Sequence, residues 1–198
     1  AALIDRDDIL RLLCQDFKAD LNAANCESGF NTHTFQTSEQ LQLSPLMYVA
    51  TRDKGAASRR HALECLVNRG AAADFEAVES GETACTLLAR LNRPDVICEL
   101  AMVSKFNANR ESTISGFTPL IAAVENNSED AIRIILEQLN ASVHLENSKG
   151  DTAFLAACRN GSVGALKVLL EHAAQKSSDD MFAIDGRGKI LLNNSYGA

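Results

Sequence analysis

A short phrase recurs four times along this chain, and that recurrence limits its fold more than any other property. It reads Ser44-Pro45-Leu46-Met47-Tyr48-Val49-Ala50, then Thr83-Ala84-Cys85-Thr86-Leu87-Leu88-Ala89, Thr118-Pro119-Leu120-Ile121-Ala122-Ala123-Val124 and Thr152-Ala153-Phe154-Leu155-Ala156-Ala157-Cys158. Successive copies start 39, 35 and 34 residues apart, and Gly81, Gly116 and Gly150 stand two residues before the last three. A fifth, degraded copy is read near Ile190, after Gly188 and 38 residues beyond Thr152. Self-similarity at a period of roughly 20–50 residues marks an array of stacked units rather than one irregular core.

Each copy carries its own folding instructions. The leading Ser or Thr suits a helix N-cap, where its hydroxyl accepts from an orphan backbone N–H. Pro45 and Pro119 follow at the first helical position, where a missing N–H costs nothing. The Leu and Ala residues behind them predict a short helix able to pack closely. A second, more apolar helix is expected after each copy. Ile132, Ile135, Leu136 and Leu139 share one face at helical spacing, and Ala62–Val67, Val163–Leu170 and Ile9–Leu13 read alike. Pro94 falls at the start of another such helix. Gly70 and Asn140 lie where a left-handed residue ends one. Aromatics are only 5% of the chain and Trp is absent, which favours aliphatic helix packing over a β-sandwich.

This organisation resembles the ankyrin repeat, whose signature is T-P-L-H-x-A over about 33 residues. Gly116-Phe117-Thr118-Pro119-Leu120-Ile121-Ala122-Ala123 matches it most fully, with Ile121 where the family usually has His. Asp20-Leu21-Asn22-Ala23 and Phe106-Asn107-Ala108 resemble the stretch that closes a repeat. The resemblance implies an all-α solenoid of helix–turn–helix units with projecting turns, filling residues 1–198 as one domain. A partial repeat at 1–23 is followed by a long inserted loop at 24–42. Repeats then run over about 43–80, 81–115, 116–149 and 150–187, with a partial terminal repeat at 188–198. Extra residues are expected around Asp53 to Arg59, between the two helices of the repeat that starts at Ser44.

The resemblance also implies where a partner sits, because such solenoids present an extended concave surface. Carried over by position, the contact residues are Thr51 and Arg52, then Glu82, Arg90 and Leu91. The next repeat supplies Ile114, Phe117, Glu125 and Asn126, and the following one Lys149, Asp151, Arg159 and Asn160. Phe117 reads two ways, as an aromatic anchor for a partner or as packing against its neighbouring turn. The insertion contributes Phe30, His33 and Phe35. A loop of that length without regular structure is usually functional or disordered. Its aromatics either grip a partner or fold back over the first repeat.

Other chemistries find little support. A net charge of −7 disfavours direct nucleic-acid binding, which needs a basic field. No stretch approaches the roughly 18 apolar residues of a membrane span, and Ala1–Asp8 lacks the order of a secretory signal. The chain starts without an initiator Met, which admits a fragment of something larger. Six cysteines without CxxC pairing suggest a reducing compartment, cytoplasm or nucleus. Asn-x-Ser triplets at Asn126, Asn140 and Asn193 therefore carry little weight. Gly186-Arg187-Gly188-Lys189 lacks phosphate-loop spacing. His61 and Cys65 are four apart, on one helix face, but two ligands make no zinc site. No nucleophile, base and orienting group assemble, so neither catalysis nor a cofactor is expected. The expected role is a scaffold or adaptor that binds a protein or peptide, of basic character given the acidic balance. The alternative is the recruiting or regulatory part of a larger enzyme, such as a ubiquitin ligase, kinase or bacterial effector.

Overall fold

The computed structural model describes residues 22, 43–51, 55–77 and 80–175, with the backbone at 176, 182–184 and 190–192. Eight helices are described in four pairs: α1 (Pro45–Thr51) with α2 (Ala56–Asn68), α3 (Ala84–Arg90) with α4 (Pro94–Val103), α5 (Pro119–Glu125) with α6 (Glu129–Glu137), and α7 (Ala153–Asn160) with α8 (Val163–Lys176). First helices pack on first helices and second on second, so the array has two layers.

The first helices are only seven or eight residues long, too short to persist alone in water. Two things fix them. Thr83, Thr118 and Thr152 cap three of them, each hydroxyl accepting from the N–H of Thr86, Ile121 and Leu155 respectively, and Ser44 accepts from Met47 in the same way. Burial does the rest: every residue from Ala84 to Ala89 and from Pro119 to Val124 is buried. The second helices supply the bulkier side of the core, with Leu63, Leu66, Ile97, Leu100, Ile132, Ile135, Leu136 and Leu169 nearly inaccessible.

Asparagines join neighbouring pairs. Asn92 and Asn127 turn the chain between helices with φ of 53° and 51°, a region Asn tolerates better than most residues. The Asn92 side-chain oxygen accepts from the Ser128 hydroxyl. That of Asn127 accepts from the Ala165 N–H at 3.0 Å. A second ladder runs along the loops that close each pair, where Asp74 accepts from the Asn107 N–H at 3.0 Å and Asn109 from the Ser142 N–H at 2.7 Å. Asn22 accepts from the Ala72 N–H at 2.8 Å. That last bond spans 50 residues, against 33 for each of the others.

Between pairs the chain projects outward and returns as a narrow finger. The N–H of Ala77, Ser112 and Asn147 donates to the carbonyl of Glu82, Phe117 and Asp151 at 2.9, 2.9 and 3.0 Å. Neighbouring fingers also bond: Thr113 N–H reaches Gly81 O at 3.3 Å, and Ser148 N–H reaches Ser115 O at 3.4 Å. Gly81 and Gly116 make this stacking feasible. Both have positive φ, and a Cβ would lie 2.5 Å from Thr113 Oγ1 in one case and from Ser148 N in the other. Only glycine meets both conditions.

Two local expectations are corrected. Helix α2 starts at Ala56, so Arg59 is a buried helical residue and not part of a connection. At the other end, Ile190–Leu192 is a strand paired antiparallel with Phe182–Ile184, with Ile184 opposite Ile190, rather than the opening of a first helix. This copy lacks the Ser or Thr cap, and β-branched and aromatic residues flank the glycine-bearing stretch 185–189, a composition suited to a hairpin.

Candidate partner-binding surface

The last residue of each first helix, or its next-to-last in α7, lies seven positions beyond the capping Ser or Thr. These positions hold Thr51, Arg90, Glu125 and Arg159, one per pair. The residue just before the cap stands at the foot of the finger, and in the last three pairs it is Glu82, Phe117 and Asp151. In the second and fourth pairs these two positions meet. Glu82 holds Arg90 through two bonds, Oε1 to Nε at 3.0 Å and Oε2 to Nη2 at 3.1 Å. Asp151 pairs with Arg159 through one oxygen alone, Oδ1 to Nη2, its Oδ2 being buried without a hydrogen-bond partner among the described residues. The two-pronged Glu82–Arg90 contact suits the planar guanidinium.

Burial separates the partners in these pairs. The Glu82 and Asp151 side chains are 7% and 9% exposed, whereas those of Arg90 and Arg159 are 36% and 49% exposed. Sequence reading placed all four on the contact surface. The structure instead puts the two carboxylates beneath the arginines, where they position them. Phe117 is half-buried and packs against the core. Glu125 is also half-buried, and forms no ion pair among the described residues.

The remaining residues expected to meet a partner are placed individually. Thr51 is half-buried and its hydroxyl donates to the Tyr48 carbonyl at 3.1 Å. Leu91 and Ile114 are 44% and 61% exposed, the latter at a finger tip. Asn126 follows α5 and donates its side-chain N–H to the Ala122 carbonyl. Lys149 is exposed on the last described finger, and Asn160 at the end of α7. Arg52, Phe30, His33 and Phe35 lie outside the described residues.

No sequence signal had marked the cluster around Arg59. This side chain, 3% exposed, donates to both Glu99 oxygens at 2.8 Å and to Asp95 at 3.1 Å, bridging α2 to α4. An arginine among the apolar positions of a helix was the available clue. Asp95 is partly desolvated, which would raise its pKa. The Arg93 hydrogen bond and charge, the Val96 N–H and Arg59 outweigh that and hold it below its ordinary value. The finger pair Glu76–Arg110, Oε1 to Nη2 at 2.6 Å, likewise joins residues 34 apart.

Burial pushes the Cys85 thiol far up, with Asp74 adding to the effect, so it is a packing group and not a nucleophile. Cys65 Sγ lies 3.7 Å from His61 Nε2. Among the described residues no three metal-ligating side chains gather, and no helix is long and apolar enough to cross a membrane.

A family model described as ankyrin repeats in three copies matches residues 46–147 and, in a second overlapping placement, 87–180. A search of curated proteins gives no match.

Proposed function

Since the chain belongs to the ankyrin-repeat family, whose members are generally protein–protein interaction modules, we propose that it is a non-catalytic scaffold or adaptor that binds a partner protein or peptide along the first-helix and finger face. The observation carrying this reading is the alignment of Thr51, Arg90, Glu125 and Arg159, one accessible polar side chain per pair on a rigid, repeated frame. Packing supports a concave shape on that side. First helices bury small residues such as Ala84, Ala122, Ala123 and Ala156 beside their Leu and Ile, and a layer with smaller side chains occupies less length along the stack, which favours a bend toward it.

In this reading residues 1–198 form one domain with the repeat divisions given above up to residue 187, the 190–192 strand closing a hairpin rather than opening a further repeat. The bond from Asn22 to Ala72 supports a partial first repeat followed by the 24–42 insertion, because its span exceeds that of the equivalent bonds by the length of an inserted loop. Cys65, Cys85, Cys98 and Cys158 are unpaired, in keeping with a reducing compartment, cytoplasm or nucleus.

The test is affinity capture from lysate with the parent chain, an Asn126→Arg, Asn160→Arg variant and a Lys167→Glu control on the second-helix side. A partner held by parent and control but released by the double variant supports the reading. A partner released only by Lys167→Glu places binding on the opposite face and refutes it.

A further inference from the structure

The third described pair, α5 with α6, breaks a charge pattern that its neighbours obey. In the pairs on either side, the finger foot supplies a buried carboxylate and the end of the first helix supplies an arginine that covers it: Glu82 with Arg90, and Asp151 with Arg159. Each neighbour is thus neutral within itself. Between them, the finger foot holds Phe117 and the helix end holds Glu125, so one carboxylate stands without an ion-pair partner among the described residues.

We propose that this pair receives a cationic side chain, lysine or arginine, from an extended segment of the partner, seated over Phe117 and bonded to Glu125. The proposal rests on the binding face argued above and names what it recognises. The missing cation, which the flanking pairs carry themselves, is supplied from outside. The carboxylate here comes from the helix, so by analogy with the flanking pairs the cation occupies the space above the finger foot, where half-buried Phe117 stands. A cation against an aromatic face and a carboxylate gains from both, through ring quadrupole and ion pair.

Charge complementarity excludes the opposite ligand. Arg90 and Arg159 flank Glu125 along the stack, but each is already satisfied by a carboxylate of its own. An anionic side chain would meet the Glu125 carboxylate in a chain whose net charge is −7.

The test uses a phage-displayed library of random 12-residue peptides, selected on the 198-residue chain and on Glu125→Gln and Glu125→Arg. Far-UV circular dichroism first verifies that both variants keep the parent fold, as expected for a half-exposed side chain without an ion pair. The expected result is a shared Lys or Arg in peptides selected on the parent. Glu125→Gln should bind those peptides about 10-fold more weakly, the loss of one hydrogen bond to a charged group. Glu125→Arg should instead select Asp or Glu at the same place. Phe117→Leu, which keeps an apolar side chain over the core, should weaken binding about 2- to 5-fold through loss of the ring face.

Peptides without a common basic residue overturn the proposal, as do peptides that bind Glu125→Arg as tightly as the parent. If those peptides are still blocked by Asn126→Arg, Asn160→Arg, the binding face survives and only the cation subsite falls. A parent chain that enriches no sequence overturns both.

Discussion

Gly116→Ala and Gly150→Ala differ in a way that isolates the stacking of the fingers. Both glycines have positive φ, 66° and 77°, so either alanine carries the left-handed backbone cost of about 1–2 kcal/mol. Their surroundings are not alike. A Cβ at Gly150 meets only Glu146 Oε2 at 4.0 Å, whereas one at Gly116 meets the Ser148 N and Oγ at 2.5 Å and the Asn147 carbonyl carbon at 3.1 Å. Backbone at that distance has to shift, at the roughly 1–3 kcal/mol typical of overpacking. Gly116→Ala should therefore be the less stable variant by about 2 kcal/mol. With a urea dependence of about 2 kcal/mol per molar, that is a midpoint difference of about 1 M. Urea unfolding followed by far-UV circular dichroism measures it directly. Coincident midpoints would mean that the second and third fingers do not lie against each other as described.

Other consequences are simpler to state. Arg59→Met should cost about 3 kcal/mol in the same assay, because Glu99 loses its partner in a largely buried site; Arg60→Ala, which breaks an exposed pair with Glu64, should cost under about 1 kcal/mol. Asp95 is held below its ordinary pKa in the folded state, so its stabilising contribution is complete above the unfolded carboxylate range, about pH 4, and is lost as pH falls through the folded value. Asp95→Asn should flatten the acid limb of the stability profile, and an unchanged limb would count against the Arg93–Asp95–Arg59 arrangement. In the native protein Cys158, which is exposed, should react with a thiol reagent while Cys85 stays protected until unfolding; equal rates would contradict the burial of α3.

The repeat and its helical pairs were legible because their signals are local. Thr83, Thr118 and Thr152 cap the helices they precede, Pro94 opens α4, and Gly70 and Asn140 adopt the left-handed turns expected of them. Contacts between repeats were harder to read. Arg59 meets Glu99 across 40 residues, and Asn92 meets Ser128 across 36; neither has a sequence pattern apart from the stacking itself. The candidate surface was partly legible for the same reason. Position in the repeat singled out Glu82, Arg90, Asp151 and Arg159 as candidates, but not that the acids would be buried beneath the arginines. Near Ile190 the repeat period misled, because spacing alone says nothing about a missing cap.

The central claim is that partners engage the face formed by the first helices and fingers. It is tested most directly by placing a photo-crosslinking amino acid at Asn160 on that face and, separately, at Lys167 on the second-helix side, then irradiating each in lysate. The account predicts a discrete crosslinked partner from position 160 and none from position 167. The same partner captured from position 167 alone would contradict it.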